Sequence, residues 1–286
     1  MIAVRKLEEA VFKALVKAST SLPPDVEEAL KQAYRLEASP QAKLQLKNIL
    51  DNVELARRLG KPLCQDTGIV SFFVKGKVDD WRGLEKALRK ATIKATEEAF
   101  LRPNAVHPLT RENTGNNVGV GVPAVTWLPG SFDTLEITVV LKGAGSENLS
   151  FLKVLPPGEG VEEVKRLVLR AVAEAGGKPC PPIVLNLGLG GTVDLTAKLA
   201  KLALIRPLGV RHGEEEVASL ERELLRLINK LGVGPMGLGG RTTALDVKIE
   251  YAHCHTASLP VAVNFQCWAD RRATVRLHPD GSVEVA

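Results

Sequence analysis

Three of the four cysteines stand where a turn interrupts the regular pattern of the chain. Cys64 follows Lys61-Pro62, Cys180 lies between Pro179 and Pro181, and Cys267 closes the strand-like run VAVNFQ ahead of Trp268. A cysteine on a rigid turn beside proline can sit among outward-facing backbone N–H groups, and such donors offset the negative charge of iron–sulfur cluster sulfurs. The same residues also read as ordinary buried thiols, since free cysteine is among the most buried residue types. No CxxC pair occurs, so neither a zinc ribbon nor a ferredoxin-type cluster is indicated. Three thiolates rather than four would leave one iron of a cubane cluster open as a Lewis acid. Such a site suits loss of water from a 2-hydroxy acid, where hydroxide leaves poorly without help.

Beside the first cysteine stand an amide and a carboxylate, Gln65 and Asp66, in the stretch KPLCQDTG. Taken alone, Asp66 reads as a cap or turn carboxylate bonding its own backbone. The fourth cysteine, Cys254, reads as a small packed residue, and His253 as a strand-face residue. His107, His212 and His278 read as loop or surface histidines.

The elements that must hold these residues are legible from spacing. The first 60 residues are helical in pattern. Leu46, Ile49, Leu50, Val53 and Ala56 follow one buried helix face, with Ser39-Pro40 as the start signal and Gly60 as the stop. A strand is predicted over 69–74 and a helix over 84–100. Strands are predicted for VGVGVPAVTW and LEITVVLK, separated by a Pro-Gly turn. Further helices are predicted over 161–175, from Asp194, and over 214–231. IVLNL is a strand leading into GLGG, which reads as a tight strand-to-helix turn with an anion cradle as the lesser alternative. Asn113-Thr114-Gly115 reads equally as a substrate-side nest or a turn. From Thr243 the pattern is mostly strand, with HPDG as a hairpin turn. Strands and helices mix without a βαβ rhythm, which predicts an α+β fold: a helical N-terminal region on mixed or antiparallel sheet, with further helices. No linker breaks the chain, so residues 1–286 read as a single catalytic domain with its helical part at about 1–60.

Composition narrows the classes. The chain has 286 residues, 45% hydrophobic and 25% charged, which is globular rather than disordered. The +5 charge, from 38 basic and 33 acidic residues, is spread without a basic run, and aromatics are only 4%. That excludes a nucleic-acid stripe and fits a solvated surface suited to anionic substrates. No segment reaches the roughly 20 apolar residues of a membrane span. The N-terminus is amphipathic but carries Glu8 and Glu9 and no continuous apolar core, unlike a signal or transit peptide. A cytoplasmic protein is expected, with cysteines for ligation rather than disulfides.

Seven stretches occur in order: KPLCQDTG, LRPNAV, ENTGNN, KGAGSEN, KPCPPIVLNLGLGG, VGPMGLGG and HTASLPVAVNFQCWADRR. Together they resemble the α subunit, or N-terminal part, of the class I iron–sulfur fumarate hydratases and L(+)-tartrate dehydratases, over about residues 25–275. The resemblance implies a 4Fe–4S cluster on Cys64, Cys180 and Cys267. It implies Gln65 and Asp66 at the substrate, with Asp66 as the proton-transfer group and His255 as its partner. It places Arg102 on a substrate carboxylate, as its planar fork allows, and Gly145 where the backbone nears the substrate.

The Ser-Glu-Asn at 146–148 resembles the fumarate enzymes, which favours hydration of fumarate to L-malate over tartrate dehydration. Single-chain members of the family carry a further C-terminal domain with more substrate-binding residues. A separate β subunit completing the site is therefore expected, in a hetero-oligomer of αβ units acting on a small dicarboxylate. Two rivals remain: a non-catalytic binding or regulatory subunit, and, more weakly, a zinc protein.

Overall fold

The structure, a computed structural model, describes residues 4–128, 130 and 132–286. Three helices open the chain: α1 (Val4–Thr20), α2 (Pro24–Leu36) and α3 (Pro40–Leu59). Ser39 caps α3 as expected, its Oγ accepting the Ala42 N–H at 3.4 Å while its carbonyl takes the first helical bond from Lys43 at 2.9 Å. Of the predicted face, Leu46, Ile49, Val53 and Ala56 are buried and Leu50 is half-buried. The chain is α+β and divides into two compact units, Met1–Pro23, Asn52–Ala144, Arg271–Ala286 and Pro24–Asp51, Gly145–Asp270.

The first unit is built on β1 (Ile69–Lys75), β2 (Ala124–Leu128), β3 (Leu135–Lys142), β8 (Arg271–Leu277) and β9 (Val283–Val285). Their order is β2-β1-β3-β8-β9; β1 and β2 run parallel, and the other pairs are antiparallel. Along β8, Ala273, Val275 and Leu277 alternate inward, the period of an antiparallel strand with one buried face. That face meets Val11, Leu15 and Ala18 of α1 and Leu84, Leu88 and Ala91 of α4 (Trp81–Glu97) in one core. The α4 helix begins three residues earlier than predicted, because Asp80 accepts the Gly83 N–H and caps it. Of VGVGVPAVTW only the end is strand. Gly119 and Val122 form an isolated bridge instead, and Pro123 has no N–H to give a ladder. Pro129 of the expected Pro-Gly turn lies outside the described residues. The HPDG turn forms as expected, with the His278 N–H on Ser282 O at 3.1 Å.

The second unit holds α5 (Ala144–Glu147, at its border), β4 (Phe151–Leu155), α6 (Gly160–Ala175), β5 (Ile183–Gly190), α7 (Val193–Leu202), α8 (Glu215–Lys230), β6 (Ala244–Ala252) and β7 (Leu259–Gln266). The sheet order is β4-β7-β5-β6, with β5 and β6 parallel and the other pairs antiparallel. Central β5 and β7 are buried on both faces, and α6 and α8 share their core through Val168, Val172, Leu224 and Ile228. Of GLGG, Gly188 to Gly190 still belong to β5 and the turn is made at Gly190-Gly191, both at φ +75°. The close backbone packing expected there does hold, since a Cβ on Gly188 would lie 2.1 Å from Thr196 O of α7. At the start of α7 the Asp194 carboxyl is held below its ordinary value, chiefly by the Thr192 side chain and then by backbone donors. Neither β4 nor α5 was anticipated. Among the described residues no helix is long and apolar enough to cross a membrane.

Glu37, between α2 and α3, is only 4% exposed. Its carboxylate accepts the N–H groups of Ala38 and Ser39 at 3.0 Å and of Arg241 at 2.7 Å, tying this connection to the VGPMGLGG loop. Burial pushes the carboxyl pKa up, but the backbone donors outweigh it and hold the group below its ordinary value of 4.5. The charged form therefore stabilises the fold above that value, and the contribution is lost as pH falls through the lower folded value. Glu37→Gln is expected to cost about 1–3 kcal/mol at neutral pH in urea unfolding. The gap from wild type should narrow once the medium is acidic enough to protonate Glu37.

Candidate active site

In the first unit the KPLCQDTG segment runs from the end of α3 to the start of β1. Leu63 anchors it: its N–H reaches Ser19 O and its carbonyl takes the Asn52 amide, both at 2.9 Å. Cys64 and Gln65 then stand exposed, and the Gln65 side chain has no hydrogen bond among the described residues. Asp66 turns back. Its Oδ1 accepts the Gly68 N–H at 2.9 Å and its Oδ2 the Ala144 N–H at 2.7 Å. The turn-carboxylate reading of Asp66 is thus correct as far as it goes, but Ala144 comes from beyond the neighbouring strand. The buried Arg271 guanidinium donates to Asp66 O at 2.9 Å, fixing the peptide as well.

Two glycines make this geometry possible. Gly68 has φ +84°, and a Cβ there would sit 2.6 Å from the Lys142 backbone. At Gly143 a Cβ would lie 2.8 Å from Asp66 Oδ2. Thr67, also buried, accepts the Arg102 N–H at 2.8 Å and so brings the LRPNAV loop alongside. The Arg102 side chain is exposed and lines a pocket of about 460 Å³ with Cys64, Gln65, Thr67 and Pro103. Asn113-Thr114-Gly115 is a turn: Asn113 Oδ1 accepts the Gly115 N–H, and its amide donates to Pro103 O.

In the second unit Cys180 and Cys267 are neighbours. Cys180 precedes β5 and Cys267 follows β7, and those strands pair from Val184 with Gln266. The Trp268 N–H donates to Cys180 O at 3.2 Å, joining the two cysteine turns directly. Cys180 itself has φ +54°, an uncommon backbone for a side-chain-bearing residue. It is held there by its own N–H on Gly177 O and by Met236 N–H on Pro181 O. Gly237 allows this contact, since a Cβ there would meet Gly177 Cα at 2.5 Å. The VGPMGLGG motif is therefore the seat of the Cys180 turn. Both thiols are half-buried, and none of the four cysteines is in a disulfide. Among the described residues, no three His, Cys, Asp or Glu side chains are grouped to hold a metal ion.

His255 lies on the exposed loop between β6 and β7. Its Nδ1 accepts the Ala257 N–H at 3.1 Å, which leaves Nε2 to carry the proton of the neutral ring and face outward. Cys254 is not packed, as the sequence suggested. It is exposed, with its Sγ 3.1 Å from Ser258 O, because β6 has already ended at Ala252. His253 likewise lies past the strand, stacked on Tyr251. Gly145 is exposed in α5, and a Cβ there would meet only Lys178 O at 3.8 Å, an ordinary contact. Among the described residues nothing demands glycine at that position. Ser146 and Glu147 are engaged internally, Ser146 with Gln266 and Glu147 with Lys201 of α7.

Sequence reasoning missed Arg271, Thr67 and Asn104, whose amide donates to Gly68 O at 3.2 Å. Only their place inside the seven stretches could have flagged them.

The fumarate hydratase (Fumerase) family matches residues 8–276. The chain belongs to this family of hydro-lyases. It is 50% identical over 284 residues to the "Putative L(+)-tartrate dehydratase subunit alpha" of Methanocaldococcus jannaschii, covering 97% of this chain and 100% of that protein. It is 40% identical over 286 residues to the L(+)-tartrate dehydratase subunit alpha of Escherichia coli strain K12, and equally to that of Shigella sonnei. Each of these matches covers 99% of this chain and 94% of the relative.

The two glycines of KGAG should respond differently to alanine. Gly143→Ala is expected to displace Asp66 and cut turnover by roughly a hundredfold, the scale of an ångström misplacement. Gly145→Ala should melt with the wild type in a thermal scan, since its methyl meets no obstacle within the chain.

Proposed function

We propose that this chain is the α subunit of a two-subunit iron–sulfur hydro-lyase that interconverts L-malate with fumarate and water. The observation that carries the reading is the Asp66 carboxylate, held by two backbone N–H groups one peptide away from the exposed Gln65 and two residues from Cys64. The family description supports fumarate as substrate. The names of the relatives, each a "subunit alpha", support a separate β subunit and hence an αβ hetero-oligomer. They also favour a second reading, dehydration of L(+)-tartrate to oxaloacetate. Ser146 and Glu147 do not decide between the two, because both side chains are engaged within the chain. Both units would serve one catalytic domain, working in the cytoplasm.

Cys64, Cys180 and Cys267 would hold a 4Fe–4S cluster. Their fit rests on the chemistry of the set, soft thiolates without disulfides, and on the joined turns of Cys180 and Cys267. When bound, such a cluster supplies a Lewis-acid position that favours departure of hydroxide from carbon 2. Asp66 takes the proton from carbon 3 in the malate direction and returns it in hydration. A carboxylate has about four lone-pair sites, so its two backbone N–H bonds and the longer one from the Asn104 amide, at 3.5 Å, still leave capacity for that proton. His255, presenting Nε2, exchanges the proton with Asp66 and solvent. Arg102 grips one substrate carboxylate through its planar fork. Gly145 leaves room for the substrate against the α5 backbone. Gln65, whose side chain has no hydrogen bond among the described residues, donates its amide to a substrate oxygen.

The test is iron content beside turnover of the anaerobically assembled αβ enzyme with L-malate, fumarate and L(+)-tartrate. Asp66→Asn should keep iron and lose turnover by about 10²–10⁴. His255→Asn should keep iron and lose less, while Cys64→Ser should lose iron and turnover together. Near-normal turnover in Asp66→Asn would make that carboxylate structural. Tartrate turnover exceeding that of malate would select the second reading, and a wild type that binds no iron would favour a non-catalytic subunit. Isolated α should be nearly inactive.

A further inference from the structure

Asn117, the last residue of ENTGNN, is 3% exposed and has φ +61°. All four hydrogen-bonding positions of its amide are used. Oδ1 accepts the N–H groups of Asn104 at 2.7 Å and Ala105 at 3.2 Å. Nδ2 donates to Arg102 O at 2.9 Å and to Thr96 Oγ1 at 3.0 Å, and Thr96 belongs to α4. Three of the four partners lie in residues 102–105, the loop that carries Arg102. From the other side that loop is held by Thr67, which takes the Arg102 N–H. The Arg102 backbone is thus gripped at both its polar groups, its carbonyl by Asn117 and its N–H by the residue after Asp66. Its side chain is left exposed on the Cys64 pocket.

A buried amide with all four positions used, three of them on one loop, does more than fill space. Its neighbours in the ENTGNN stretch serve the same loop, since Asn113 donates to Pro103 O and the Thr114 N–H to Ala105 O. Asparagine also tolerates the left-handed backbone found here better than most residues. We infer that Asn117 is a positioning residue for substrate binding: it sets the loop from which Arg102 meets a substrate carboxylate. The inference rests on the reading of Arg102 as the carboxylate-binding group.

The experiment compares Asn117→Gly, Asn117→Asp, Arg102→Ala and the Asn117→Gly/Arg102→Ala double variant as αβ enzyme, with kcat, KM for malate, iron content and melting midpoint. Glycine keeps the backbone conformation available, so folding is spared. Asn117→Gly is expected to raise KM roughly tenfold or more with iron content unchanged, a fraction of what full misplacement costs. Asn117→Asp, which keeps the two accepting bonds, should fall between it and wild type. In the Arg102→Ala background Asn117→Gly should add little, because the group it positions is gone. A purely structural role would lower the melting midpoint and the active fraction but leave KM alone. Wild-type KM in Asn117→Gly, with KM raised in Arg102→Ala, would overturn the inference about Asn117. Unchanged KM in Arg102→Ala would instead remove Arg102 from the carboxylate site and the inference with it.

Discussion

The Asp66 carboxylate spans two strands. One oxygen holds the Gly68 N–H just ahead of β1, and the other holds the Ala144 N–H just past β3. Those strands are antiparallel with Ile69 opposite Lys142, so the bridge continues their ladder by one side-chain rung. Much else is arranged around that rung. Gly68 must take a left-handed backbone against Lys142, Gly143 must lack a side chain, and Arg271 at the head of β8 must reach across to the Asp66 carbonyl. A slip of one residue between β1 and β3 would send alternate side chains to the wrong face and carry Ala144 away from the carboxylate. The core beneath, where Phe72, Val139 and Val275 are buried, prevents that slip. Packing of apolar faces therefore fixes where a chemical group points.

In the second unit the same kind of control is exercised through backbone contact. The turns of Cys180 and Cys267 are set by the pairing of β5 with β7, strands buried on both faces and unable to shift without opening the core. Gly237 against Gly177 brings a second loop onto the Cys180 turn, and Glu37 ties that loop in turn to the start of α3. The backbone of both cysteine turns therefore has little freedom left to move.

The sequence made the regular elements legible where local signals agreed. Ser39-Pro40 and Gly60 bound α3, the alternation in LEITVVLK marks β3, and GLGG turns a buried strand into α7. Where several signals competed, the reading failed for identifiable reasons. VGVGVP has the apolar content of a strand but spends its backbone on a local bridge, and FLKVL pairs only at a sheet edge with few buried side chains. Cys254 looked like a packing residue because strand periodicity continues through it, yet β6 stops two residues sooner. The residues named for chemistry came from the resemblance rather than from pattern. The groups that hold them, Arg271, Asn117 and Glu37, were invisible for a common reason: each bonds a backbone distant in sequence, and a polar residue gives no periodic sign of that.

The way the chain is threaded carries one further consequence. The first unit is assembled from three separated stretches, and its sheet pairs β3 with β8, where the hydroxyls of Thr138 and Thr274 meet across 136 residues of chain. Closing a loop that long has an entropic cost that must be met before the contacts it enables can repay it. Such non-local pairing slows folding. During synthesis the stretch 145–270 emerges before β8, so it can collapse while β3 still presents an open edge. That edge is the place where a holding chaperone, or an unwanted neighbouring chain, would find this protein first.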